Sequence, residues 1–224
     1  MISFSRMSAV LLIVAFAGVF AWSAGDKATT VLPSPAVDAA ISASKGEQTV
    51  VVAGGCFWGI QAVFQHVKGV TDATSGYSGG SAKTAEYELV STGETGHAES
   101  VKITYDPSQI TYGELLRVFF SVAHDPTQLN RQGPDSGSQY RSAIFYNSDE
   151  QKRIANAYIV QLEKARVFPR PIVTQVVPLT AFYPAEAYHQ DYATLHPDNP
   201  YIVYNDAPKV AHLRQEFPEL YAGR

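Results

Sequence analysis

From Thr49 onward the apolar positions alternate between unbroken runs and a spacing of three or four, as expected of strands and helices taken in turn. The run Thr49-Val50-Val51-Val52-Ala53 is apolar and rich in β-branched residues, which predicts a strand buried on both faces, and Gly54-Gly55 ends it. In Cys56–Val67 the residues Ile60, Val63, Phe64 and Val67 recur at helical spacing, so a helix is expected with Cys56 at or near its first turn. Val70–Tyr77 and Ser100–Tyr105 read as strands, Thr111–Ala123 as an amphipathic helix and Arg141–Tyr146 as a strand. Asp149–Ala165 is the longest predicted helix, and Ile172–Val177 is a further strand. The order β-α-β-β-α-β with an appended α-β predicts an α+β fold, a ferredoxin-like two-layer sandwich with helices packed on a mixed sheet. Beyond Pro178 the chain is rich in Pro, Tyr, Asn and Asp, and a long C-terminal coil with short helices is expected to wrap the body.

The N-terminus follows a different pattern. Arg6 precedes the uncharged apolar run Ala9–Trp22, which has signal-peptide length and falls short of the ~20 residues of a spanning helix. Small residues at Ala21, Ser23 and Ala24 suggest cleavage after Ser23 or Ala24, whereas Trp22 at a membrane interface would suit an uncleaved anchor. Residues 25–48, rich in Ala, Ser, Thr and Pro, read as a flexible spacer, and residues 49–224 as a single catalytic domain. Export, to a periplasm-like compartment, is the expectation.

Composition narrows the chemistry. Of 224 residues 46% are hydrophobic and only 17% charged, which excludes a disordered chain. A net charge of −4 with no Lys/Arg block argues against nucleic acid as a partner. A single cysteine, Cys56, excludes both an internal disulfide and a multi-cysteine metal site. The six histidines have no ligand-like spacing with acids or cysteine and read as structural or surface residues, so no metal is expected.

Cys56 lies between Gly54-Gly55 and Gly59, at a helix start where free N–H groups and the helix dipole favour a thiolate. Most lone cysteines are small buried hydrophobes. Here the flanking glycines and the following Phe57 and Trp58 favour a nucleophile, because adjacent helical side chains diverge by roughly 100° and cannot both enter the core. By pattern alone Glu99, in the turn Gly93–Glu99, and Asp135, in the loop Gly133–Arg141, are weak candidates, since acids in such turns are commonly solvated or cap the turn.

The string Gly55-Cys56-Phe57-Trp58-Gly59 resembles the active-site signature of the A-type peptide methionine sulfoxide reductases. Gly76-Tyr77-Ser78-Gly79-Gly80, Thr95-Gly96-His97-Ala98-Glu99, Tyr105-Asp106-Pro107, Gln139-Tyr140-Arg141-Ser142 and Phe182-Tyr183-Pro184-Ala185-Glu186 with His189-Gln190 match in order. The resemblance implies repair of oxidised proteins, and reduction of the free amino acid, at the S epimer of methionine sulfoxide. It implies Cys56 as the nucleophile, Glu99 as the acid that protonates the sulfoxide oxygen, and Tyr87 and Tyr140 as hydroxyl donors to that oxygen. Phe57 and Trp58 would cage the S-methyl group, Asp135 would help fix the substrate or the thiol, and Tyr183 and His189 would shape the pocket wall. No metal or organic cofactor is implied, and the enzyme would act as a monomer. A carboxyl group near its ordinary pKa of about 4.3 is ionised at neutral pH, so the acid role demands an environment that raises it.

The product of the first step would be a sulfenic acid on Cys56. Many relatives of this type carry further cysteines in the tail. This chain has none between Ala185 and Arg224, so the reductant must be an external thiol, thioredoxin-like or other. Two other readings use the same residues. A Cys–His acyl-transfer site would pair Cys56 with His97 or His189 and leave Glu99 and the aromatic pair unexplained. A module that merely captures methionine-like side chains would not require Cys56. If the leader is removed, N-terminal sequencing of the exported protein is expected to start at Ala24 or Gly25, and a start at the initiator end would establish the anchor instead.

Overall fold

A computed structural model describes residues 32–223, so the leader and residues 25–31 of the expected spacer lie outside the described residues. β1 (Gln48–Ala53) passes through Gly54-Gly55 into α1 (Phe57–Gln65), and β2 (Val70–Ser78) and a short α2 (Tyr87–Val90) follow. Next come β3 (Ala98–Tyr105), α3 (Tyr112–Val118) extended by a π-helical turn over Phe119–Ala123, and a small hairpin of β4 (Arg131–Gln132) and β5 (Asp135–Ser136). β6 (Ala143–Tyr146), α4 (Asp149–Ala165), β7 (Gln175–Pro178) and β8 (Phe182–Pro184) precede α5 (Tyr192–Leu195), a π-helical turn over Ile202–Asp206 and α6 (Ala207–Glu216).

Six strands form one sheet in the order β7-β6-β1-β3-β2-β8, antiparallel except where β6 and β7 run parallel. The fold is α+β with a mixed sheet. Val50 and Val52 enter the main core shared with the helices, while Val51 and Ala53 enter a smaller cluster with Ala143 and Phe145. β1 is thus apolar throughout because both of its faces are covered. Along α4 the buried Ile154, Ala155, Tyr158 and Leu162 keep helical spacing, and Ser148 caps the helix by accepting from the Gln151 N–H at 3.2 Å.

Two segments are more ordered than the sequence pattern predicts. The C-terminal stretch is not mainly coil. β8 covers the otherwise open edge of β2, and α6 with the residue after it buries Leu213 and Phe217 completely. Gln190 fastens this stretch with four hydrogen bonds, accepting from Ser75 N and Gln61 Nε2 and donating to Ser75 O and Ala185 O at 2.9–3.1 Å. The described part of the expected spacer, from Leu32, also lies against the body. Arg117 Nε donates to Leu32 O at 2.8 Å, the Tyr158 hydroxyl to Pro33 O at 2.9 Å, and Gly113 N to Asp38 at 2.7 Å. These bonds join residues far apart in sequence, which a local pattern does not register.

Leu32 is buried within the main core. Leu32→Ala is therefore expected to cost about 2–4 kcal/mol in urea unfolding, whereas a residue in a free spacer would change stability by less than about 0.5 kcal/mol.

Candidate active site

The turn between β1 and α1 presents Cys56. Gly55 has φ of 98°, a left-handed conformation that a side chain would strain, and Cys56 occupies the N-cap position of α1. The first free amide of the helix, Phe57 N, donates to Glu99 Oε2 at 3.1 Å, and the Cys56 side chain makes no capping hydrogen bond to the helix. β3 starts two residues earlier than the sequence pattern predicts. Glu99 is therefore not a turn residue but a strand residue paired with Tyr77, and it is buried.

Cys56, Phe57, Trp58, Tyr87, Glu99, Asp135, Tyr140 and Tyr201 line one cavity of about 210 Å³. Burial pushes the Glu99 carboxyl up to about 8 against the opposing effect of the Phe57 N–H, and the negative charges of Asp135 and Asp206 push in the same direction. Glu99 is thus largely protonated near neutral pH. Burial, then the Glu99 and Asp206 carboxylates, raise the Cys56 thiol well above its ordinary value, outweighing the Trp58 N–H and Lys209. The Trp58 amide at the helix start favours a thiolate, but burial outweighs it, and the resting group is a thiol rather than the thiolate that its position alone predicts. Burial also raises Tyr87 and Tyr140, so both remain hydroxyl donors into the cavity.

The other residues singled out in the sequence take different places. Trp58 stacks on Tyr192 with centroids 3.8 Å apart, and its indole N–H donates to His189 Nδ1 at 3.3 Å. His189 lies behind the aromatic pair, 5.1 Å from the Phe57 ring and 4.4 Å from Tyr87, and burial lowers its pKa, which keeps Nδ1 an acceptor. Tyr183 stands outside the cavity, paired with Tyr77 across β8 and β2 and edge-on to His97. Asp135 accepts a hydrogen bond from the Tyr201 hydroxyl, so the hairpin holds the C-terminal stretch over the cavity.

The chain matches the family model described as peptide methionine sulfoxide reductase over residues 48–221. It is 65% identical over 180 residues to peptide methionine sulfoxide reductase MsrA 2 of Mesorhizobium japonicum, covering 80% of this chain and 92% of that one. The protein belongs to this family. It is 49% identical to the Thermus thermophilus MsrA over 174 residues, 78% of this chain and 97% of that one. Among solved structures, methionine sulfoxide reductase A of Corynebacterium diphtheriae superposes with a TM-score of 0.59 at 35% identity, covering 75% and 85% of the two chains. Mxr1 from Saccharomyces cerevisiae in reduced form gives 0.62 at 32% identity, covering 71% and 91%. The chain is accordingly an oxidoreductase that reduces peptide methionine sulfoxide.

Three neighbours of this cavity escape a reading by pattern. Tyr201 lines it, Glu186 accepts from the Tyr87 N–H and the Tyr77 hydroxyl, both at 2.8 Å, and Asp206 is buried near Cys56. Their signals are faint, although Asn199-Pro200 before Tyr201 and Asp206-Ala207-Pro208 at a helix start are both recognisable punctuation. Among the described residues no group of three His, Cys, Asp or Glu is arranged to hold a metal ion.

Because Glu99 is shifted from 4.5 in its ordinary state to about 8 when folded, the folded protein holds more protons than the unfolded chain across that window. Its contribution to stability is full below the window and falls as pH rises through it. The urea midpoint of Glu99→Gln minus that of the parent is expected to grow between pH about 5 and pH about 8.5. A constant difference would mean that Glu99 is ionised throughout.

Proposed function

We propose that the protein reduces the S epimer of methionine sulfoxide, in oxidised proteins and as the free amino acid, by direct attack of Cys56 on the sulfoxide sulfur. The observation that carries this reading is the juxtaposition, in one side-chain-sized cavity, of the only cysteine, a largely protonated buried carboxyl group and two tyrosine hydroxyls. Phe57 and Trp58 receive the S-methyl group. The Tyr87 and Tyr140 hydroxyls hold the oxygen and stabilise the charge that develops on it. Glu99 protonates that oxygen as the S–O bond weakens, the carboxylate so formed takes the Cys56 proton, and the Cys56 sulfur supplies the electron pair of a new bond to the substrate sulfur.

The hydroxyl then passes from the substrate sulfur to Cys56 as the bond between the two sulfurs breaks. The substrate is reduced by two electrons to the thioether and the thiol oxidised by two electrons to a sulfenic acid, so no further oxidant or reductant enters this step. An external thiol then displaces water to form a mixed disulfide, and a second thiol releases Cys56. A thioredoxin-like protein has the dithiol this needs. The sequence of the leader supports action outside the cytosol, where disulfide-exchange proteins supply such thiols. The central order β6-β1-β3-β2, with α1 and α3 in the two crossovers, supports a ferredoxin-like reading of the core that carries the site.

The purified protein is expected to reduce the S and not the R epimer of a methionine sulfoxide ester with dithiothreitol as reductant. Cys56→Ser should abolish turnover and Glu99→Gln should slow it by roughly 10²-fold or more with the fold retained. Turnover by Cys56→Ser would end the nucleophile assignment, and a near-parental Glu99→Gln would remove Glu99 as the acid.

A further inference from the structure

An ion pair buried at its acidic end stands against the start of α1, and the reaction described above makes no use of it. Asp206 is fully buried, Lys209 Nζ donates to its Oδ1 at 3.0 Å, and its Oδ2 has no hydrogen-bond partner among the described residues. Although Asp206 precedes α6, its side chain makes no capping bond, so ending the helix does not account for it. The pair is pressed against the helix that bears the thiol. A side chain at Gly59, in the first turn of α1, would collide with both Asp206 Oδ1 and Lys209 Nζ. A buried pair of this kind is commonly no more stabilising than apolar residues of the same volume, and a carboxylate oxygen left without a donor adds to the cost. Stability therefore gives no reason to keep it there.

We propose that Asp206 and Lys209 are positioning residues for Cys56, a fixed pair of opposite charges beneath the first turn of α1 that sets how readily its sulfur carries negative charge. The proposal rests on Cys56 being the nucleophile. The two members act with opposite signs: Asp206 raises the thiol pKa and Lys209 lowers it. Asp206 is itself pushed up by burial and held down by Lys209, with Asp135 adding a smaller upward push. The other titratable groups around the Cys56 cavity are Glu99 from β3, Tyr87 from α2, Asp135 from β5, and Tyr140 and Tyr201. Against the carboxylates, the Lys209 ammonium is the positive charge that acts on Cys56. The same field matters twice in a cycle, because a thiol of lower pKa both attacks more readily at neutral pH and leaves faster from a mixed disulfide.

The test is the pH profile of Cys56 alkylation by iodoacetamide in the purified full chain, where a single cysteine makes the site unambiguous. Asp206→Asn is expected to move the midpoint down by about half a unit or more, and Lys209→Met to move it up by a similar amount. Lys209→Arg, which keeps the charge, should remain close to the parent. A merely structural pair would shift both neutral variants the same way, or neither, and either result overturns the proposal. Should Asp206→Asn fail to fold, the contrast between Lys209→Met and Lys209→Arg decides alone: a rise only in the first supports the proposal, and equal profiles overturn it. Alkylation needs no turnover, so its outcome is independent of whether Cys56→Ser retains activity, the result that would remove the underlying assignment.

Discussion

The bond from the Phe57 amide to the Glu99 carboxyl joins the first turn of α1 to the middle of the sheet, and the site is organised around it. It satisfies an N–H that no helix can satisfy internally, and it fixes the carboxyl beside Cys56. The opposing influences on Glu99 are unequal. Burial raises the carboxyl more than the single amide lowers it, so the net result is an acid that still has its proton near neutral pH. One more donor to the carboxylate would shift that balance towards an ionised group unable to protonate a sulfoxide oxygen.

This burial is produced largely by distant parts of the chain. Tyr201 reaches Asp135 across the mouth, Tyr192 stacks on Trp58, and Glu186 positions Tyr87 through its backbone amide. The C-terminal stretch therefore completes the cavity and supplies much of the low-dielectric wall that perturbs both Glu99 and Cys56. In a chain with one cysteine the stretch cannot resolve a sulfenic acid by its own thiol. Its contribution is to the shape and electrostatics of the cavity, while in the proposed mechanism the electrons for recycling come from another molecule.

The legible parts of the fold were those in which a residue's environment follows from its near neighbours. β1 reads correctly from its unbroken β-branched run, α4 from its 3.6-residue spacing, and α1 from Ile60, Val63 and Phe64. Glu99 shows the limit of such reading. Its sequence context is a glycine-bounded polar turn, yet pairing with β2 extends β3 over it and leaves it buried. Similarity of motifs drew attention to it where periodicity did not. Tyr201, Glu186 and Asp206 were hidden for the same reason, since their partners lie on other elements and the surrounding Pro, Asn and Asp residues resemble surface coil. The ordered segment after Leu32 was missed because its anchors, Arg117, Tyr158 and Gly113, are more than 70 residues away, as the 75 positions between Asp38 and Gly113 illustrate.

In the proposed mechanism a solitary thiol takes the substrate's oxygen and has no internal partner to remove it. Intact-mass analysis after a single turnover on methionine sulfoxide, with no reductant present, tests this most directly. The expected product is a protein heavier by one oxygen atom, located on Cys56, that an added small thiol converts to a mixed disulfide. Stoichiometric release of methionine from a protein of unchanged mass would contradict it.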